Sequence, residues 1–166
     1  MLEEFVELKE GDAIVHTGGN SATGKYILQL AKNRGIHSIS VIRARPAAER
    51  LAIEKELKDF GATMVVTADE LVEAVKSWPH GKPKLGLDCV GGQTTLEVSK
   101  VLEKDAVLVV YGGMSRQPLQ IPPGSLIFDN ITIKGFWYDL PSCSKPLYFS
   151  VVLYSCLTAP WLSNTG

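Results

Sequence analysis

Two groups of residues near the start of the chain have types and spacing suited to binding phosphate. The first is a glycine turn, Gly18 to Gly24, that lies between a short apolar segment and a helical pattern. Such a turn presents backbone N–H groups to an anion at the start of a helix. Against the pattern G-x-G-x-x-G, Gly19 is predicted to make the tight turn, and Gly24 to let helix and strand pack closely. Ser21 replaces the central glycine, where it caps the helix or donates its hydroxyl to a phosphate oxygen. An ordinary strand-to-helix turn is the alternative.

The second group is a pair of arginines, Arg43 and Arg45, that follows the next apolar segment. An NAD site has an Asp or Glu here, about 20 residues after the glycines, to accept from ribose hydroxyls. The segment Val41–Arg45 contains no acid. Guanidinium groups bind phosphate through charge-assisted and often bidentate hydrogen bonds. The pair therefore predicts NADP(H), with its ribose 2′-phosphate, as the cofactor. Two solvent-exposed arginines without a ligand are the alternative.

Short apolar strands alternate with helices along the chain. We predict strands at 13–16, 38–42, 63–66, 85–89, 106–111 and 131–135, and helices at 22–34, 47–60, 67–76 and 92–102. A capping box formed by Thr67 and Glu70 starts the third helix. Nearly continuous apolar strands joined by helices are typical of a parallel sheet covered on both faces. The predicted fold is an α/β doubly wound sheet with the strand order 3-2-1-4-5-6.

The second predicted helix carries an apolar face and a charged pair. Leu51, Leu57 and Phe60 fall on one helical face, and Glu54 and Lys58 are four residues apart. Residues with this spacing are neighbours on a helix surface. We therefore expect the three apolar residues to face the core and the two charged residues to form an ion pair.

Further candidate site residues follow the later strands. Gly91-Gly92 comes after the fourth strand, Gly112-Gly113 after the fifth, and the aromatic run Phe136–Tyr138 after the sixth. Ligands of such sheets bind beyond the carboxyl ends of the strands. Because glycine lets the backbone approach a ring or a ribose without a Cβ collision, we predict one cleft along this edge. Ordinary turns, and aromatic packing against a neighbouring domain or subunit, are the alternatives.

Composition narrows the class of protein and of partner. The chain has 166 residues, of which 45% are hydrophobic and 21% charged, as expected for a globular domain. A net charge of -1 gives no electrostatic basis for binding nucleic acid or an anionic membrane. Cys89, Cys143 and Cys156 show neither zinc spacing nor a disulfide framework. We therefore predict no metal site and a reducing compartment.

The chain divides into two predicted regions. Residues 1–138 form the NADP-binding domain, in which residues 1–10 are expected to be the end of a helix and a connector. Residues 139–166 form a divergent apolar tail, expected to add a helix or strand or to have little fixed structure. Its apolar run, Leu147–Leu162, has roughly 16 residues, fewer than the ~20 of a membrane helix. We expect no membrane span, and no targeting peptide is visible.

Six short motifs occur in order and together carry a family resemblance. They are Gly11-Asp12, Asn20-Ser21, Arg43-x-Arg45-Pro46, Cys89-Val90-Gly91-Gly92, Tyr111-Gly112-Gly113-Met114 and Gly135-Phe136-Trp137. The set resembles the cofactor domain of mitochondrial trans-2-enoyl-thioester reductases, a zinc-free branch of the medium-chain dehydrogenase/reductase superfamily. The resemblance covers about residues 8–138. Related quinone oxidoreductases share the glycine turn.

The resemblance implies reduction of a trans-2-enoyl thioester of CoA or acyl carrier protein by NADPH, in mitochondrial fatty acid synthesis. It assigns four groups of residues to the cofactor: Asn20, Ser21, Ala22 and Thr23 at the pyrophosphate, Arg43, Ala44 and Arg45 at the 2′-phosphate, Tyr111, Gly112, Gly113 and Met114 on the ribose and nicotinamide side, and Phe136, Trp137 and Tyr138 at the nicotinamide pocket. It places the proton-donating tyrosine on a separate N-terminal domain, so no catalytic residue is assigned in this chain.

The chain departs from the family pattern at two site positions. Ala44 stands where the family has an acid, and Thr23 stands where it has valine. Three hypotheses remain. The chain is the cofactor domain of an enoyl-thioester reductase, with a homodimer as the assembly considered. It is a truncated NADPH-binding or assembly module without activity of its own. It is a quinone or aldehyde reductase of the same superfamily.

Overall fold

The computed structural model of the chain describes residues 1–137, which contain six strands and five helices. The strands are β1 (Ala13–Thr17), β2 (His37–Ile42), β3 (Met64–Thr67), β4 (Leu85–Asp88), β5 (Val107–Val110) and β6 (Thr132–Gly135). The helices are α1 (Ala22–Asn33), α2 (Ala47–Asp59), α3 (Ala68–Lys76), α4 (Gln93–Val101) and α5 (Pro123–Ile127).

All six strands lie in one parallel sheet with the order β3-β2-β1-β4-β5-β6. This order confirms the predicted doubly wound topology. The chain runs outward from β1 to β3, then returns to the other side of β1 for β4 to β6. The strand order therefore reverses between β1 and β4, at the place where such sheets leave a crevice for a ligand.

Helices cover the two faces of the sheet. Successive strand residues point to opposite faces, and the neighbours Ile14 and Val15 of β1 show the two layers. Ile14 packs in a cluster that includes Ile27 of α1, whereas Val15 packs in a cluster with Leu71 of α3 and Val98 of α4. Because both faces of the strands are buried, their sequences are apolar without strict alternation.

The predicted capping box at the start of α3 is confirmed. The Thr67 side chain accepts from the N3 backbone, and the Glu70 carboxylate accepts from the Thr67 N–H at 2.9 Å. The same carboxylate receives two bonds from the Arg50 guanidinium, at 2.6 and 2.8 Å. These bonds lower the pKa of Glu70 to about 2 and join α2 to α3.

Helix α2 differs from its prediction in two ways. Leu57 is fully buried and Phe60 is half-buried, but Leu51 is 67% exposed. Glu54 pairs with Arg50 at 2.6 Å, so it does not form the predicted pair with Lys58. The helix begins at Ala47 and ends at Asp59. Because an α-helix has about 3.6 residues per turn, Leu51, six residues before Leu57, does not lie on the buried side with Leu57.

Two other segments differ from their predictions. Residues 1–10 contain turns and bends without a helix, although Leu2 and Leu8 are buried in the cluster of Ile14. Helix α5 was not predicted; it has Pro123 in its first turn and only five residues. Within residues 1–137, none of the helices combines the length and apolar character needed to cross a membrane. The predicted tail, 139–166, lies outside the described residues.

Candidate cofactor site

The parallel sheet brings the predicted site segments to one edge. The carboxyl ends of β1, β2, β4 and β5 lie side by side in the strand register. The segments that leave these ends are the glycine turn, the arginine pair, residues 89–92 and residues 111–114. Segments far apart in sequence are thus adjacent at the edge where doubly wound sheets bind their ligands.

Three glycines shape the glycine turn, each for its own reason. Gly18 has φ +65, a left-handed conformation that favours glycine, where the chain leaves β1. Gly19 lies inside the tight turn, as predicted, because the Ser21 N–H donates to the Gly18 carbonyl across it. A β-carbon on Gly19 would lie 1.8 Å from Oγ of Ser40, so Gly19 also allows the turn to lie against β2. A β-carbon on Gly24 would lie 2.5 and 2.6 Å from the carbonyl oxygens of Gly19 and Gly18, as the predicted close packing requires.

Ser21 caps helix α1. Its hydroxyl oxygen accepts from the Gly24 N–H at 3.0 Å, and its own N–H donates to the carbonyl of Gly18 at 2.9 Å. Of the two roles predicted for Ser21, the structure shows the helix cap. The hydroxyl hydrogen can still be donated to a ligand, since the cap uses the oxygen as an acceptor.

The start of α1 fits a phosphate group. Asn20, Ala22 and Thr23 are exposed, and the first turn contains no acidic residue. N–H groups of a first helical turn have no acceptor within the helix, and the helix dipole favours an anion there. The absence of a β-carbon at Gly19 and Gly24 keeps the turn closely packed. The residues present therefore fit the pyrophosphate of a dinucleotide.

Arg43, Ala44 and Arg45 follow β2 directly, and all three are exposed. Arg45 forms an ion pair with Glu49 of α2, with 3.2 Å between Nη1 and Oε1. The pattern Arg43-x-Arg45 does not predict this partner. The ion pairs of residues 1–137 do not include Arg43. Two guanidinium groups thus lie at the end of β2, and that of Arg45 is paired with the exposed carboxylate of Glu49.

A buried carboxylate at the end of β4 was missed by the sequence analysis. Asp88 is fully buried, and Oδ1 accepts from the Thr17 hydroxyl at 2.8 Å and from the Val90 N–H at 2.8 Å. Oδ2 accepts from the Thr95 hydroxyl at 2.5 Å. The signal was present as an acid at the end of an apolar strand, but we interpreted this stretch only through its glycines.

Tyr111, Gly112, Gly113 and Met114 leave the end of β5. The Tyr111 hydroxyl is buried without a hydrogen-bond partner in the described residues, and burial, assisted by Cys89, raises the pKa of its phenol. A β-carbon on Gly112 would lie 3.1 Å from the Cys89 carbonyl oxygen, whereas one on Gly113 would meet no atom of the described residues within 4 Å. Met114 is 63% exposed. The segment thus begins in the core and emerges at the edge of the sheet.

The aromatic run after β6 is only partly described. The ring of Phe136 meets that of Phe5 edge to face, with centroids 6.1 Å apart, and packs against the same core cluster as Tyr111. Trp137 follows it, and Tyr138 lies outside the described residues. The predicted roles of Phe136, Trp137 and Tyr138 at a nicotinamide pocket stay predictions. No three His, Cys, Asp or Glu side chains of residues 1–137 are grouped to hold a metal ion.

Comparisons with known proteins agree with this geometry. A family model described as zinc-binding dehydrogenase matches residues 22–148. The mitochondrial enoyl-[acyl-carrier-protein] reductase of Caenorhabditis elegans is 44% identical over 144 residues, which are 84% of this chain and 41% of that protein. The chain spans about two fifths of the length of the curated relatives it matches.

Solved structures give the same result. The mitochondrial 2-enoyl thioester reductase Etr1p/Etr2p heterodimer from Candida tropicalis has a TM-score of 0.81 and 36% identity, over 93% of this chain and 44% of the solved one. A complex of Etr1p with NADP and crotonyl-CoA matches with the same TM-score. The resemblance stated from the six motifs is therefore confirmed. By its fold and its match to the family model, the chain belongs to the zinc-binding dehydrogenase family.

Proposed function

We propose that this chain is the NADPH-binding part of a trans-2-enoyl-thioester reductase. The observation that carries the proposal is the arginine pair at the end of β2, beside the open first turn of α1. These two phosphate-binding groups follow the neighbouring strands β1 and β2. That arrangement suits a dinucleotide with a 2′-phosphate. The names of its relatives favour enoyl thioesters over other substrates.

Each part of the edge has a role in this proposal. The amides of Asn20, Ala22 and Thr23 bind the pyrophosphate, and the Ser21 hydroxyl donates to it. Arg43 and Arg45 bind the 2′-phosphate. The segment 111–114 and Phe136, which packs against the same core cluster as Tyr111, orient the ribose and nicotinamide. When bound, the cofactor supplies the hydride, and the chain's residues hold it in place. We assign the proton-donating step to no described residue.

Substrate, location and assembly are proposed from the relatives. We infer that the substrate is an enoyl thioester of CoA or acyl carrier protein, and that the protein works in mitochondria. The relatives carry the word mitochondrial in their names, and a solved relative contains crotonyl-CoA. A homodimer is the proposed assembly; the Candida tropicalis protein is described as a heterodimer of two closely named chains.

Calorimetric titration of the purified chain with NADPH and with NADH tests the cofactor assignment. We expect saturable binding of NADPH and binding of NADH weaker by at least about tenfold, because only NADPH offers the 2′-phosphate. Equal affinities, or no binding of either, would contradict the proposal.

An activity assay tests the substrate assignment. We expect the chain alone to reduce crotonyl-CoA little, since no proton donor is assigned to it. A protein that contains this sequence and has the full length of the relatives is expected to reduce crotonyl-CoA and not a quinone. Rapid reduction by the chain alone would contradict its dependence on a further domain. Reduction of the quinone only would favour the quinone reductase hypothesis.

A further inference from the structure

Asp88 is a fully buried carboxylate whose partners are neutral. Ion pairs in the described part of the chain do not include it. Its oxygens instead accept from two hydroxyls, those of Thr17 and Thr95, and from the N–H groups of Val90 at 2.8 Å and Gly91 at 3.3 Å. Burial of an unpaired charge is costly unless several donors compensate it. The four donors around Asp88 supply that compensation.

The four donors come from three elements of the fold. Thr17 ends β1, Thr95 lies in α4, and Val90 and Gly91 form the turn between β4 and α4. The Thr17 hydroxyl oxygen also accepts from the Cys89 N–H at 2.9 Å. Asp88 therefore fixes the turn 89–92 to the strand that precedes the glycine turn. The turn is bent sharply, with φ +82 at Gly91 and +62 at Gly92.

The turn 89–92 also binds the segment that leaves β5, through backbone hydrogen bonds. The carbonyl of Cys89 accepts from the Met114 N–H at 2.9 Å, and the carbonyl of Val90 accepts from the Ser115 N–H at 2.8 Å. The packing is close, because a β-carbon on Gly92 would lie 3.0 Å from Cβ of Gln117. A displacement of the turn is thus passed on to residues 113–117.

We propose that Asp88 is a positioning residue for the nicotinamide half of the cofactor cleft. It sets the turn 89–92 and, through two backbone bonds, the segment 113–115. Its hydrogen bonds within residues 1–137 do not reach the arginine pair or the first turn of α1, which bind the adenosine half under the proposed function. The inference rests on that proposed function and adds a residue to it.

Two isosteric changes and a matched control test the inference. Asp88→Asn removes the charge but keeps the shape, and Thr95→Val removes the donor to Oδ2. Thr94→Val is the control, because Thr94 is on the same helix and its side chain does not hydrogen-bond to Asp88. Each full chain is titrated with NADPH and with adenosine 2′,5′-bisphosphate, which lacks the nicotinamide half.

We expect Asp88→Asn and Thr95→Val to weaken NADPH binding about five- to tenfold, because the turn 89–92 and the segment 113–115 are then no longer held in position beside the nicotinamide half. Binding of adenosine 2′,5′-bisphosphate should stay within about twofold. Thr94→Val should change neither. If the affinities for both ligands fell equally, or the affinity for NADPH did not fall, the inference would be overturned but the proposed function would stand. Failure of the unaltered chain to bind either ligand would overturn the proposed function, and the inference with it.

Hydrogen exchange supplies a readout that needs no ligand and that separates a local change from a loss of global stability. In Asp88→Asn we expect the Met114 and Ser115 amides to exchange at least about fivefold faster, because their acceptors lie on the turn that Asp88 holds. The Ser21 and Lys25 amides, bonded within the glycine turn and α1, should keep their rates. A uniform acceleration of all four amides would show general destabilisation and overturn the positioning role.

Discussion

Gly19 lies so close to Ser40 that a β-carbon on Gly19 would come within 1.8 Å of the Ser40 hydroxyl oxygen. The next neighbours of that position are Cβ of Ser40 at 3.1 Å and Cγ2 of Ile42 at 3.5 Å. The Gly19 N–H donates to the carbonyl of Val41 at 3.2 Å. The glycine turn is therefore seated on β2, the strand that carries the arginine pair at its end.

Replacing Gly19 by alanine should weaken both folding and cofactor binding. The added methyl group must displace Ser40 or the turn, and overpacking of this kind costs about 1 to 3 kcal/mol. We expect the free energy of unfolding to fall by that amount, measured by urea denaturation. The affinity for NADPH should fall with it, because the turn holds the pyrophosphate amides.

Two further variants test whether the loss of stability comes from the clash with Ser40 or from any glycine-to-alanine change. Gly135→Ala should change the stability by less than about 0.5 kcal/mol, since no atom of residues 1–137 lies within 4 Å of its added β-carbon. Adding Ser40→Ala to Gly19→Ala should recover most of the loss, because the 1.8 Å contact disappears. A double variant as unstable as Gly19→Ala alone would contradict the contact as the cause.

His16 should make the protein less stable in mild acid. It is fully buried in β1, and burial lowers its pKa from 6.5 to about 4. Between these values the unfolded chain binds a proton that the folded chain does not. The stabilisation from neutral His16 is therefore complete above pH 6.5 and is lost as the pH falls towards 4. We expect this one group to remove about 3 kcal/mol, measured by urea denaturation at several pH values.

His16→Leu isolates that contribution. Neither ring nitrogen of His16 has a hydrogen-bond partner within residues 1–137, so an apolar side chain of similar size should fit at little cost. At about pH 7 we expect the variant to be at least as stable as the unaltered chain. Its loss of stability between pH 6.5 and 4 should be smaller by about 3 kcal/mol. An unchanged pH dependence would show that other groups, such as His37, cause it.

Local patterns in the sequence predicted the fold better than the site. The period of the apolar residues and the capping box of Thr67 and Glu70 depend on near neighbours, so the strands and helix starts followed from them. The strand order then followed from the general rule for right-handed crossovers. The bond between Thr17 and Asp88 joins residues 71 positions apart. The acid at the end of an apolar strand is visible in the sequence, but a local pattern does not identify its partners, so Asp88 was interpreted only as part of a glycine turn.

The glycine turn shows the same limit on a smaller scale. The spacing of glycines identified the turn at Gly19, but it did not predict that Gly18 is the left-handed residue. Which glycine needs positive φ depends on how the chain leaves β1. Which one needs to lack a side chain depends on Ser40 of β2, and neither can be read from a spacing.

Helix α2 provides a test of burial by two leucines. Leu57 is fully buried and Leu51 is 67% exposed, although both were expected to face the core. Leu57→Ala should lower the free energy of unfolding by about 2 to 5 kcal/mol, because it leaves a cavity. Leu51→Ala should change it by less than about 0.5 kcal/mol. Similar losses for the two variants in urea denaturation would contradict the orientation of α2.

Glu49 should restrain the arginine pair. Its carboxylate lies 3.2 Å from the guanidinium of Arg45, in an exposed ion pair of the kind worth about 0.3 to 0.5 kcal/mol. Glu49→Gln frees that guanidinium, so we expect NADPH to bind about twofold more tightly at low salt. Glu73→Gln, which removes the partner of Lys76 on α3, serves as the charge-matched control and should leave the affinity unchanged. Weaker binding by Glu49→Gln would contradict a role of Arg45 at the 2′-phosphate.

The central claim is that Arg43 and Arg45 recognise the 2′-phosphate. Its most direct test is calorimetric titration of the Arg43→Ala/Arg45→Ala double variant with NADPH and NADH. Removing both guanidinium groups, each a charge-assisted donor, should weaken NADPH binding about 100-fold and leave NADH binding within about twofold. The account predicts that the preference for NADPH disappears in this variant; a ratio of the two affinities equal to that of the unaltered chain would contradict it.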